Sequence, residues 1–302
     1  MINTVTGAIA PEQLGRTLIH EHIICSSPDF QYAFPQWLSR EKVVEAAVAK
    51  LRYIAEKHNV RTLVDGTPIS LGRDIGLLKE VSERSGVQII ASSGFYFYPC
   101  FTAYCVAPQT MARFLTDEVK NSGNGISILK CAVDSEGVTR VVKNYLETVA
   151  IVHKETGLPI FMHSHSGNRT GLEALEILTG NGVDISKIAV GHVADCNTAD
   201  YAIELLKKGC YVSVDRIWSG NVAERVEVLY ELLAAGFGDR IMVSCDHICC
   251  PDNIMESTPA PGGNVNSLGV IYSELLPALV KKGAPQDIAD QFTLRNAAGF
   301  LA

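Results

Sequence analysis

The sequence predicts a single (β/α)8 barrel spanning residues 1–302, on three observations. Eight short apolar runs rich in β-branched residues recur along the chain, segments of helical period separate them, and polar residues with metal-binding chemistry interrupt the runs near their C-terminal ends. The runs are Leu18 to Ile24, Val60 to Asp65, Val87 to Gly94, Ser127 to Asp134, Leu158 to His165, Lys187 to Val193, Tyr211 to Ile217 and Arg240 to His247. Each reads as a parallel strand buried on both faces.

Amphipathic segments between them read as helices: Glu41 to His58, Asp74 to Ser85, Arg140 to Thr156, Gly171 to Asn181, Thr198 to Lys208 and Val222 to Ala235. Glycine follows several of these, at Gly157, Gly209 and Gly236, where a helix C-cap precedes the next strand. The segment Pro251 to Asn266 holds three prolines and the pair Gly262-Gly263, too broken for regular structure, and its place after the eighth run makes it a candidate substrate loop. Leu268 to Leu301 reads as two closing helices split at Gly283-Ala284-Pro285. The alternative fold, a doubly wound open sheet, lacks a Gly-x-Gly-x-x-Gly fingerprint.

Composition narrows the function. A net charge of -7 without a Lys/Arg cluster speaks against nucleic acid, and no stretch of about twenty apolar residues suggests a membrane span. The first residues lack a basic and an apolar signal region, so the reading is a soluble cytoplasmic protein with a small-molecule partner. Nine cysteines, most of them within apolar runs, suit reduced buried thiols rather than a disulfide framework. The vicinal pair Cys249-Cys250 could form a soft metal site, but no second cysteine cluster completes it.

The chemistry begins at His20-Glu21-His22. Residues i and i+2 of a strand share a face, so both imidazoles can close on one ion while Leu18, Ile19, Ile23 and Ile24 anchor the strand. Alone the motif is weak. Its company is Lys130 on the fourth run, His163 on the fifth, His192 on the sixth and Asp246 on the eighth, all near strand ends where barrel active sites lie. Four imidazoles and a carboxylate exceed the needs of one tetrahedral ion and suit two divalent metals, zinc first, with manganese, cobalt or iron as alternatives. Each also has a structural reading: a strand histidine is more often a hydrogen-bonded core residue, as His165 and His247 are taken to be, and Asp246 alone could cap a strand. Lys130, between Leu129 and Cys131, must be paired, neutralised or modified.

The stretches Gly15-Arg16-Thr17-Leu18-Ile19-His20-Glu21-His22, Leu129-Lys130-Cys131-Ala132, Thr156-Gly157-Leu158-Pro159-Ile160-Phe161-Met162-His163-Ser164-His165, Gly191-His192 and Ser244-Cys245-Asp246 together resemble the phosphotriesterase family of the amidohydrolase superfamily. The resemblance runs to the ending Asn296-Ala297-Ala298-Gly299-Phe300-Leu301. It implies an amidohydrolase-type barrel with a binuclear centre, one metal on His20, His22 and Asp246, the other on His163 and His192, and a carbamylated Lys130 bridging them. A hydroxide held between the ions would attack the substrate while Asp246 takes up the proton. His165 is an addition to the family pattern. A homodimer is the family expectation.

For the substrate, Tyr96 and Arg216 resemble residues of lactonase-like members, where dedicated phosphotriesterases carry tryptophan and histidine, and so favour a lactone or carboxylate ester. Their structural reading is a wall residue and a salt-bridge partner of Asp215 or of an acidic helix. The short connection at Trp218-Ser219-Gly220 is also lactonase-like, whereas Asp252-Asn253-Ile254-Met255 resembles the phosphotriesterase ending and Pro261-Gly262-Gly263-Asn264 only partly matches the lactonase turn. The alternatives are an organophosphate triesterase, a mononuclear deaminase-type amidohydrolase, against which Lys130 counts, and a metal-binding barrel without turnover.

Overall fold

The computed structural model describes residues 1–37, 39–251 and 267–302. A short antiparallel hairpin, β1 (Ile2–Thr4) and β2 (Gly7–Ile9), opens the chain, and its neighbour Val5 donates through its N–H to Ile89 O beneath the barrel. The barrel strands follow as β3 (Arg16–Cys25), β4 (Val60–Asp65), β5 (Gln88–Gly94), β6 (Ile126–Val133), β7 (Ile160–Ser164), β8 (Ile188–Gly191), β9 (Tyr211–Val214) and β10 (Ile241–Val243). Each pairs in parallel with the next. The ring closes where Asp246 N–H donates to His20 O at 3.1 Å and His20 N–H to Ser244 Oγ at 2.9 Å.

The eighth strand departs from the continuous run read in the sequence. It stops at Val243, breaks, and resumes as β11 (Ile248–Pro251), which pairs with β3 at His22, Ile24 and Cys25. The break frees the residues around Asp246 from the ladder, so their amides need other acceptors.

Inside the barrel, Ile19, Val64, Ile90, Ile128, Phe161, Ala189 and Met242 meet, each from a different strand. Leu14, Phe300 and Leu301 seal the lower end beneath them. A second, larger core lies between the strands and the outer helices, which is why the strand sequences are apolar on both faces. The helices anticipated from periodicity form as α2 (Arg40–His58), α3 (Ile75–Ser85), α6 (Arg140–Thr156), α7 (Gly171–Gly180), α8 (Asp200–Lys208) and α9 (Val222–Ala234). Ser39, Asp74 and Thr139 cap α2, α3 and α6 by accepting from the N–H of Lys42, Leu77 and Val142. Gly157 ends α6 at φ +72, as its place in the sequence predicts.

Three further helices were not read from the sequence: α1 (Pro28–Ala33) after β3, and α4 (Phe101–Cys105) and α5 (Pro108–Lys120) between β5 and β6. The last buries Met111, Ala112, Leu115 and Val119, a helical spacing. The two closing helices are α10 (Leu276–Lys282) and α12 (Asn296–Leu301), with the short α11 (Ile288–Asp290) before the second; each follows a π-helical turn, Ile271–Leu275 or Gln291–Arg295. The candidate substrate loop lies outside the described residues, apart from its first residue, and so do the motifs at 252–255 and 261–264. Among the described residues no helix is long and apolar enough to cross a membrane.

Ile128 is 1% exposed inside the barrel and Phe101 is 83% exposed outside it. Ile128→Ala is expected to cost about 2–5 kcal/mol in urea unfolding, from lost burial plus the cavity left behind. Phe101→Ala is expected to stay within about 0.5 kcal/mol of the parent.

Candidate metal centre

Four histidines, one lysine and one aspartate from five strands meet at the C-terminal mouth of the barrel. Phe161 is their floor: its ring lies 4.3 Å from the His20 ring and 4.7 Å from Lys130 Nζ. Lys130 Nζ is 2.7 Å from His20 Nε2. Asp246 Oδ1 is 3.2 Å from His22 Nε2 and 3.6 Å from His20 Nε2, so one group of donors is His20, His22 and Asp246. The His163 and His192 rings stand 4.4 Å apart as a second group, and the His20 and His192 rings are 5.3 Å apart.

What orients these rings is a set of partners behind them. Asp215 is fully buried; its Oδ2 is 3.2 Å from His20 Nδ1, and its Oδ1 is 2.8 Å from His192 Nδ1 and accepts from His192 N–H at 2.9 Å. Thr67 donates its hydroxyl proton to Ile24 O, so its oxygen accepts from His22 Nδ1 at 2.8 Å. These contacts place the proton of all three imidazoles on Nδ1 and leave the Nε2 lone pairs for the mouth. His192 Nε2 is the telling atom: it is buried and has no hydrogen-bond partner among the described residues. His163 is reversed, since its Nε2 is 2.8 Å from Asp134 Oδ2, leaving Nδ1 as the available donor.

Asp215 also lies within ligand distance of His20 and His192, but the nitrogens it touches are both Nδ1 and its oxygens are taken up by hydrogen bonds. It is an orienting carboxylate. The remaining set, imidazole nitrogens with one carboxylate around a buried amine, fits divalent first-row metals.

Electrostatics agree with neutral His20 and His163 and a charged Asp246. Burial, reinforced by Lys130, pushes His20 down to about 3, and burial with His192 beside it holds His163 well below its ordinary value. Burial alone would raise Asp246, yet His20 and His192 hold it well below the usual carboxylate range. Burial lowers Lys130 to about 8, against the pull of Asp246 and Asp215.

The backbone is strained at the same places. His192, Arg216 and Asp246 have φ of +61, +53 and +50, each just after a strand or within its break. Non-glycine residues in this region cost of order 1–3 kcal/mol and persist where surroundings enforce them. Gly66, after β4, is needed for another reason, because a Cβ there would lie 2.6 Å from His20 Cδ2.

Arg216 donates from Nε to Asp246 Oδ2 at 3.1 Å and from Nη1 to Asp195 Oδ2 at 2.6 Å, so its ion-pair partners are these two rather than Asp215. Tyr96 stands at the rim with its ring 5.1 Å from that of His163. His165 is turned aside, its Nδ1 accepting from Asn168 N–H, and His247 is a buried, hydrogen-bonded residue behind Asp246. Cys249 is buried next to Lys50, while the Cys250 side chain lies outside the described residues. Among the orienting residues, Asp215, Asp134 and Thr67 were not singled out in the sequence as parts of the site. Asp215 did carry a signal, since a carboxylate between Val214 and Ile217 in a buried run needs a partner.

The model of the phosphotriesterase family matches residues 1–301. The chain belongs to that family. A phosphotriesterase homology protein of Mycobacterium tuberculosis is 31% identical over 304 residues, covering 95% of this chain and 93% of that protein. An aryldialkylphosphatase of Saccharolobus solfataricus is 29% identical, covering 98% and 97%. An N-acetyltaurine hydrolase of Xenopus tropicalis is 26% identical, covering 99% and 97%. The relatives named for a reaction are hydrolases, and this chain is a hydrolase of the family with a His/Asp group suited to a metal ion.

Asp215→Asn is expected to weaken zinc binding about 10–100-fold by releasing two imidazoles at once, measured by competition with a chelator. Gly66→Ala, by displacing His20, is expected to lower zinc content in elemental analysis while leaving the far-ultraviolet circular dichroism unchanged.

Proposed function

We propose that the protein is a binuclear metal hydrolase of lactones or carboxylate esters. The observation that carries this reading is the orphaned lone pair of buried His192 Nε2, aimed into a mouth where the other donors converge around Lys130. His20, His22 and Asp246 would hold one ion and His163 with His192 the other, zinc being the expected metal. Divalent ions bound there would supply an activated water near neutral pH and polarise the substrate's carbonyl oxygen.

The chain's own residues supply the rest. Lys130, lowered to about 8, offers a neutral amine whose lone pair can add to carbon dioxide with loss of a proton, giving a carbamate anion between the two donor groups. This modification removes the burden of a buried ammonium. Asp246, held by Arg216 Nε, accepts at its carboxylate the proton released as the carbonyl is attacked. Tyr96, packed against the His163 ring, and Arg216, which donates to Asp246, would line the bound substrate.

A phosphotriester substrate is the second reading, favoured by the Saccharolobus relative named aryldialkylphosphatase. Hydrolysis of lactones, aryl esters and paraoxon should be followed on one zinc- and bicarbonate-treated sample whose metal content is measured. About two metals per chain with lactone or ester turnover above paraoxon turnover is the expected result; the reverse preference selects the phosphotriesterase, and no metal with no hydrolysis overturns both. Lys130→Ala is expected to lose most bound metal and activity, with partial recovery in added short carboxylate, and full activity without Lys130 would sink the bridged centre.

A further inference from the structure

Asp246 sits in the break of the eighth strand at φ +50, joined to β3 by its own N–H on His20 O and by His22 N–H on His247 O. The amides on either side of it donate to a single carboxylate: Cys245 N–H to Glu21 Oε1 at 2.7 Å and His247 N–H to Glu21 Oε2 at 2.8 Å. Glu21 is fully buried, and although it stands between His20 and His22 its oxygens turn to the broken strand. A second grip comes from α2. Lys50, 6% exposed, places Nζ 2.9 Å from His247 Nε2 and donates to Cys249 O at 2.8 Å, while Ser267 Oγ is 3.0 Å from the same His247 nitrogen.

Two ionisable side chains thus bind the backbone and imidazole of one short segment, in a layer where burial of either is costly. A barrel strand needs no such help, because its neighbours satisfy its amides; a strand that must leave the ladder to turn one carboxylate inward does. We infer that Glu21 and Lys50 are positioning residues that hold the strained segment 245–249 and so fix the Asp246 carboxylate beside His20 and His22. The inference rests on the proposed role of Asp246 at the metal centre. Neither residue reaches the donor atoms itself. Glu21 acts through the amides flanking Asp246, and Lys50 through His247 and Cys249.

The test uses the full chain with Glu21→Gln, Lys50→Met and Lys50→Arg. Metal-free protein is read by amide hydrogen exchange, and zinc affinity by competition with a chromophoric chelator. Glu21→Gln should speed exchange across residues 245–248 at least tenfold and weaken zinc binding about 10–100-fold, lowering kcat while KM holds. Lys50→Met should do the same more mildly, and Lys50→Arg, which keeps a donor, should recover. Unchanged exchange and zinc affinity in both Glu21→Gln and Lys50→Met would overturn the proposal. So would loosening that is equal in α6, on the other side of the barrel, because that marks general destabilisation. Should Glu21→Gln not fold, the Lys50 pair decides by the same criteria. Failure of the parent protein to bind zinc would refute the metal centre, and the exchange data would still report on the clamp.

Discussion

Asp215 is the interaction on which the site depends. One carboxylate, fully buried, takes the Nδ1 protons of His20 and His192 and the backbone amide of His192. It thereby joins the first barrel strand to the sixth, from the end of the seventh, and sets two imidazoles in the same tautomer. In water such a carboxylate would be solvated and indifferent to its neighbours. In a dry barrel mouth each of its lone pairs must be used, and this necessity converts a set of mobile rings into a preorganised group of donors.

Around that anchor, the chain accepts strain. Three strands in succession end near a residue with positive φ, His192, Arg216 and Asp246, and each of these carries a side chain of the mouth. Extended backbone alternates its side chains between two faces, so a strand cannot by itself turn a terminal side chain across the axis. A left-handed residue does so in one step. Hydrogen bonds to Asp215, Asp195 and Glu21 hold the turned segments, and the two packed cores hold the strands from which they leave.

Much of the fold was legible because barrel strands are apolar on both faces and stand out from the helical segments between them. Val60–Asp65 and Arg140–Thr156 form with the boundaries read from the sequence. The reading went astray where a pattern does not register backbone geometry. Arg240 to His247 is one apolar run in sequence, yet its pairing with β9 stops at Val243, since Cys245 and His247 N–H donate instead to Glu21, a side chain distant in the chain. Met111, Leu115 and Val119 did carry the period of α5, but the preceding aromatic-rich stretch obscured it.

The sequence by itself determined which residue types stand at the strand ends and in what order, hence the family, the alternation of strand and helix, and the six side chains that converge. Those follow from local pattern and spacing. Only the tertiary structure decided which nitrogen of each histidine faces the mouth, that Asp215 and not another group binds His20 to His192, and that Arg216 pairs with Asp246 and Asp195. These are contacts between residues far apart in the chain, and their geometry is fixed by closing eight strands into a ring, which no window of sequence contains.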